Sequence, residues 1–179
     1  NYSVLLGCTK TNSNTDTITT MNTSHKPVII WLLTGCVLIF SMVVIGGITR
    51  LTGSGLSITE WNVIMGTLPP MNQDDWNIAF DKYKQSPQFA KVNFTMNVEE
   101  FKSIFWWEYI HRLVGRTIGV VFLIPFLWFL LKRKLDVPLI KKLLVLFALG
   151  GLQGFLGWFM VASGLVDNPY VSHYRLAIH

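Results

Sequence analysis

Cysteine is nearly missing from this chain: two occur in 179 residues, Cys8 and Cys36, and no Cys-x-x-Cys pair exists. That excludes a disulfide framework and a cysteine-based redox motif, so metal or redox chemistry falls to histidine. Charge is scarce as well, at 14% of residues against 51% hydrophobic, and the apolar residues gather in blocks with no surface period. An ordinary soluble domain is excluded, and a chain that spans a membrane is indicated. A net charge of +5 would suit a nucleic-acid binder, but the basic residues form no patch interleaved with stacking aromatics. No nucleic-acid partner is expected. The basic residues instead flank the hydrophobic runs, as topology determinants do.

What is present is a series of long apolar runs bounded by charge. Between Lys26 and Arg50 no charged residue occurs, enough helix at about 1.5 Å per residue to cross a hydrocarbon core of about 30 Å. The spacing predicts membrane helices over about 28–49, 113–131 and 143–166, and the start of a fourth from 174. Within the second, Pro125 is expected to kink the helix without ending it. Residues 27–179 therefore read as an all-α, polytopic membrane bundle with a long outer loop at 50–112. Two stretches of that loop, "DDWNIAFDKYKQ" and "NVEEFKSIFWWEY", fit short amphipathic helices on the membrane surface. Residues 1–26 are polar and without a period, and are expected to be a disordered extension, with Met21 resembling a natural start. The chain stops in mid-pattern at "RLAIH", which predicts an incomplete protein or one half of a longer one.

Orientation follows from the basic connection Lys132–Lys142, which carries five lysines and arginines and belongs on the cytoplasmic or matrix side, with Lys26. His111, at the start of the second span, and His179, in the first turns of the fourth, then share the outer side at similar depth. A ligand lying between helices would be within reach of both.

The densest chemistry lies in "FWWEYIHRLVGR". Glu108 and His111, three residues apart, share a helix face, and Arg112 stands four residues from Glu108 for pairing. Ionisable groups at the edge of an apolar span are costly unless they have partners or a function. Interfacial anchoring is the favoured reading of Trp106, Trp107 and Arg116, and it fits Tyr109 as well. For His111 and His179 three roles stand open: ligation of a haem iron, a proton relay, or hydrogen bonds between helices. His25 reads as a solvated tail residue, and His173 as interfacial or ligating. Gly115-x-x-x-Gly119 and Gly150-x-x-x-Gly154, with Gly151 and Gly157, read as helix-packing positions.

The run from Gly46 to Ser57, followed by Glu60-Trp61 and Gly66-Thr67-Leu68-Pro69-Pro70, is no generic loop. Together with "FWWEYIHRLVGR" and the terminal "YRLAIH", it resembles the N-terminal half of the heme A synthase family over roughly Trp31 to His179. The resemblance implies one four-helix half of an eight-span protein that oxidises the C8 methyl of heme O to the formyl group of heme A for terminal oxidases. By position it implies His111 and His179 as iron ligands and Glu108 as the catalytic carboxylate, and it carries no role onto His173. Arg50, Arg112, Arg116 and Arg175 are candidates to meet the heme propionates. A resident heme b is implied for a second half, without which this piece is expected to be inactive. Membrane lipid, a heme O synthase and a second copy of the chain are the implied partners. The implied location is the bacterial inner membrane, or the mitochondrial inner membrane in a eukaryote. Some relatives carry paired cysteines in the first outer loop, and this loop has none. A membrane b-type cytochrome that only transfers electrons, and a transporter or assembly factor using the polar face as a conduit, are the alternatives from other classes.

Overall fold

The computed structural model describes residues 26–59, 68–164 and 173–179, without the side chains of Gly164, His173 and Arg175. The tail expected at 1–26 therefore lies outside the described residues apart from Lys26. So does the segment with Glu60, Trp61, Gly66 and Thr67. Six helices follow one another: α1 (Lys26–Leu51), α2 (Gln73–Lys84), α3 (Pro87–Lys91), α4 (Val98–Leu131), α5 (Val137–Gly164) and α6 (His173–Ile178). Among the described residues there is no strand. Three helices, Lys26–Leu51, Val98–Leu131 and Val137–Ser163, are long and apolar enough to cross a membrane, and the fold is an all-α membrane helical bundle.

The segment "NVEEFKSIFWWEY" does not form a separate surface helix. It is the first half of α4, which starts inside the stretch expected as outer loop. Asn97 sets that start: its side chain accepts from the Glu100 N–H at 3.0 Å, and Glu100 Oε2 accepts the Asn97 N–H at 3.0 Å. Such a capping box satisfies two backbone donors that a helix start otherwise leaves open. With 34 residues, α4 is about 51 Å long at about 1.5 Å per residue, well beyond a hydrocarbon core of about 30 Å. Its first turns therefore stand clear of the membrane. There Phe101, Ile104, Phe105 and Tyr109 bury against Trp76, Phe80 and Tyr83 of α2. Asn72 caps α2 by accepting from the Asp75 N–H at 2.8 Å, and Ser86 caps α3 by accepting from the Phe89 N–H at 3.2 Å.

At the other end a second apolar cluster joins Val28 and Trp31 of α1 to Phe126, Phe129, Leu135 and Leu143. It brings the Lys26 end of α1 beside the basic α4–α5 connection, so both groups of charge lie on one side of the bundle, as the positive-inside rule asks. α4 runs through Pro125 without ending. A proline has no N–H, so the carbonyl four residues before it, Val121, loses its helical donor. The indole Nε1 of Trp31 donates to that carbonyl at 2.8 Å, and a polar group in an apolar setting is satisfied by the neighbouring helix.

α1 and α4 pack antiparallel with a register legible in three contacts. Thr49 Oγ1 is 3.4 Å from the Trp107 carbonyl. A Cβ on Gly46 would meet His111 Nε2 at 3.3 Å, and one on Gly115 would meet Met42 Cε at 3.3 Å. Close packing thus accounts for Gly115, but Gly119, Gly150, Gly151 and Gly154 have nothing within 4 Å among the described residues. The packing role expected for those four is not filled within this part of the chain.

Candidate functional site

The site is built where α4 emerges from the membrane. Glu108 is 2% exposed, an exposure that a carboxylate tolerates only when fully hydrogen-bonded. Its Oε2 accepts from the Ser57 hydroxyl at 2.7 Å and from the Ile58 N–H at 2.8 Å. Its Oε1 accepts from Arg112 Nη2 at 2.5 Å, and the same nitrogen donates to the Ile58 carbonyl at 2.9 Å. The pair formed at i, i+4 is thereby locked onto the loop that leaves α1. Three of the roughly four lone-pair positions of a carboxylate are filled, and among the described residues one on Oε1 stays open to a further donor.

His111 lies one turn further along α4 and points at α1. Its Nε2 occupies the space beside Gly46, where any larger residue would crowd it. His179, at the end of α6, is seated on α5 in the same way: a Cβ on Gly157 would lie 2.9 Å from its Cε1. The two imidazoles come from different parts of the chain, and each is seated against a glycine of a neighbouring helix. His179 Nδ1 is buried and makes no hydrogen bond among the described residues, an unmet requirement in a protein interior. Two imidazoles backed by glycine, one with an orphaned ring nitrogen, form a donor set suited to a haem iron. No group of three or more histidine, cysteine, aspartate or glutamate side chains that would hold a bare metal ion occurs among the described residues.

The arginines divide. Arg112 is committed to Glu108 and the Ile58 carbonyl. Arg116 is half-buried one turn deeper on the same face of α4, and Arg50 is exposed in the last turn of α1. Arg175 lies on α6, with its side chain outside the described residues, as is that of His173. Trp106 is 41% exposed and packs edgewise on Tyr109 and Phe105, so it belongs to the outer aromatic cluster. Sequence reasoning singled out the stretch Gly46 to Ser57 but not the task of its last residues. Nothing in its local pattern indicates that Ser57 and Ile58 would hold a carboxylate fifty residues away.

Comparison with known proteins identifies the family. The family described as cytochrome oxidase assembly protein, COX15-CtaA, matches residues 29–179. Among curated proteins, the chain is similar to "Heme A synthase" of Nitrosospira multiformis, 61% identical over 155 residues, covering 87% of this chain and 44% of that protein. It is also similar to "Heme A synthase" of Flavobacterium johnsoniae, 55% identical over 161 residues, covering 89% and 47%. A third, "Heme A synthase" of Paramagnetospirillum magneticum, is 54% identical over 158 residues, covering 88% and 45%. The chain spans somewhat under half the length of the curated relatives it matches. No solved structure matches. With the family match running from Ile29 to the last residue, this chain belongs to the COX15-CtaA family of cytochrome oxidase assembly proteins.

Proposed function

We propose that this chain is the substrate-binding part of a heme A synthase, which oxidises the C8 methyl of heme O to a formyl group. The observation that carries the reading is the histidine pair, His111 on Gly46 and His179 on Gly157, held at one end of a membrane bundle. Heme O is a large apolar ring with a farnesyl tail, and a cleft between membrane helices takes it up without exposing it to water. His111 and His179 ligate the iron from opposite faces and fix the rotation of the ring. One methyl is thereby brought to Glu108, whose open Oε1 position takes up protons released in the oxidation, while the four electrons removed would leave through the electron-transfer heme of the second half and the added oxygen atom would come from water. Arg116, Arg50 and Arg175 meet the propionates, since Arg112 is bound to Glu108.

A resident heme b, supplying electron transfer, is assigned to a second half of the protein. A heme O synthase hands over the substrate, and the protein works as a homo-oligomer in the bacterial inner membrane or its mitochondrial counterpart. A second reading is favoured by one observation. Glu108 is bonded on three sides, as a purely structural acid would be in a b-type cytochrome that only transfers electrons.

One experiment separates the two. The full-length gene product is expressed with a heme O source, and the extracted hemes are chromatographed for wild type and Glu108→Gln. Heme A from wild type, with heme O or a hydroxylated intermediate building up in the variant, supports the synthase. Heme b alone from both proteins, with its spectrum lost on changing His111, leaves the cytochrome.

A further inference from the structure

The loop leaving α1 is fastened before it meets Glu108. Gly53 adopts φ +66°, a left-handed conformation that glycine takes without steric cost. Beyond it the Ser54 N–H donates to the Thr49 carbonyl at 3.0 Å and the Ser57 N–H to the Ser54 carbonyl at 3.1 Å. The Thr52 and Ser54 hydroxyls are 2.6 Å apart, and Gln88 Nε2 of α3 donates to the Gly53 carbonyl at 2.8 Å. Gln88 is itself fixed, because its Oε1 accepts from the Tyr83 hydroxyl at 3.2 Å. Ser54, Leu56 and Ser57 are buried. None of these bonds involves Glu108, so the loop is the frame and the flexible carboxylate arm is the part that is placed.

Among the described residues, Ser57 makes the one side-chain contact from this frame to the carboxylate. Its hydroxyl lies 2.7 Å from Glu108 Oε2 and 3.4 Å from the Ile104 carbonyl. The carboxylate oxygen, at the shorter distance, is the stronger acceptor, so the hydroxyl proton is directed at Glu108. Resting on the heme A synthase reading, we propose that Ser57 is a positioning residue for the Glu108 carboxylate. By holding Oε2 against the loop it turns the Oε1 edge, touched by Arg112, outward as the edge offered to substrate. Without the hydroxyl, Oε2 keeps only the Ile58 N–H and the carboxylate rotates away from its working orientation.

Two readouts on the full-length protein test this with Ser57→Ala and Ser57→Thr, the threonine keeping the hydroxyl. The first is the infrared carboxylate stretch of Glu108, identified by its disappearance in Glu108→Gln. Ser57→Ala shifts that band and Ser57→Thr returns it, and this holds whether or not heme A is made. The second is heme A formation, which falls roughly tenfold in Ser57→Ala at unchanged heme content, the size of one hydrogen bond to a charged group. Threonine restores it. A band unmoved in Ser57→Ala overturns the proposal. A shifted band with no heme A from wild type overturns the synthase reading while the placement of the carboxylate stands. A shifted band with full heme A formation in Ser57→Ala overturns the positioning role.

Discussion

Trp31 donates its indole N–H to the Val121 carbonyl at 2.8 Å, the carbonyl that Pro125 deprives of its helical donor. One helix thus repairs the other at the point where α4 breaks its own hydrogen-bond ladder. Trp31→Phe keeps most of the aromatic packing on Phe122 and Phe129 but loses the donor. A cost of about 1 kcal/mol is expected, in the range of hydrogen bonds between membrane helices. Pro125→Ala returns a backbone N–H to Val121 and should make the same tryptophan substitution nearly neutral. Unfolding in detergent mixtures, run as a double-mutant cycle, measures this coupling, and additive losses would refute it.

Removing one member of the buried ion pair is expected to be severe. The side chains of Arg112 and Glu108 are 10% and 3% exposed. Glu108→Ala leaves a nearly buried guanidinium and the Ser57 and Ile58 donors without their acceptor. A destabilisation of about 3–5 kcal/mol is expected, and Glu108→Gln, which keeps an acceptor oxygen, should lose less. Chemical denaturation of the purified variants gives both values. Equal stability of Glu108→Ala and wild type would mean that the buried pair contributes nothing to the fold.

The histidine seats differ in tolerance. A Cβ on Gly157 would stand 2.9 Å from His179 Cε1, whereas one on Gly46 would stand 3.3 Å from His111 Nε2. Gly157→Ala therefore must displace its ring, and Gly46→Ala asks only for a small adjustment. Heme retention, read from the visible spectrum of the purified full-length protein, is expected to fall several-fold in the first variant and less in the second. Gly35→Ala, with nothing within 4 Å among the described residues, serves as the control and should retain the wild-type spectrum.

Tyr83, fully buried in the outer cluster, ionises above the usual phenol range because burial disfavours the phenolate, although the Asn93 hydrogen bond opposes this. A pKa raised in the folded state means that its contribution is complete below the unfolded value of about 10 and is lost as pH rises through the folded value. The protein should therefore lose stability in strong alkali. Tyr83→Phe should flatten that dependence while costing about 1–3 kcal/mol at neutral pH through the unpaired Gln88 and Asn93 groups. Thermal melts from neutral pH to above about pH 10 decide it.

Apolar run length made the three long helices legible, because a bilayer imposes a length on any helix that crosses it, and flanking charge supplied the expected orientation. The i, i+4 spacing likewise made the Glu108–Arg112 pair readable, since both residues lie on one helix. The start of α4 was hidden, because "NVEEFKSIFWWEY" has the amphipathic pattern of a surface helix and only its packing on α2 shows that it continues into the span. Tertiary structure alone decided which groups meet across the chain. Ser57 reaches Glu108 over a separation of 51 residues, and Trp31 reaches Val121 over 90. His111 finds Gly46 and His179 finds Gly157 on helices that local periodicity does not pair. The reason is physical: periodicity tells which face of a helix is apolar, but the axial register of two packed helices depends on how small and large residues interlock. That register puts each imidazole over a glycine and the carboxylate beneath the loop that holds it.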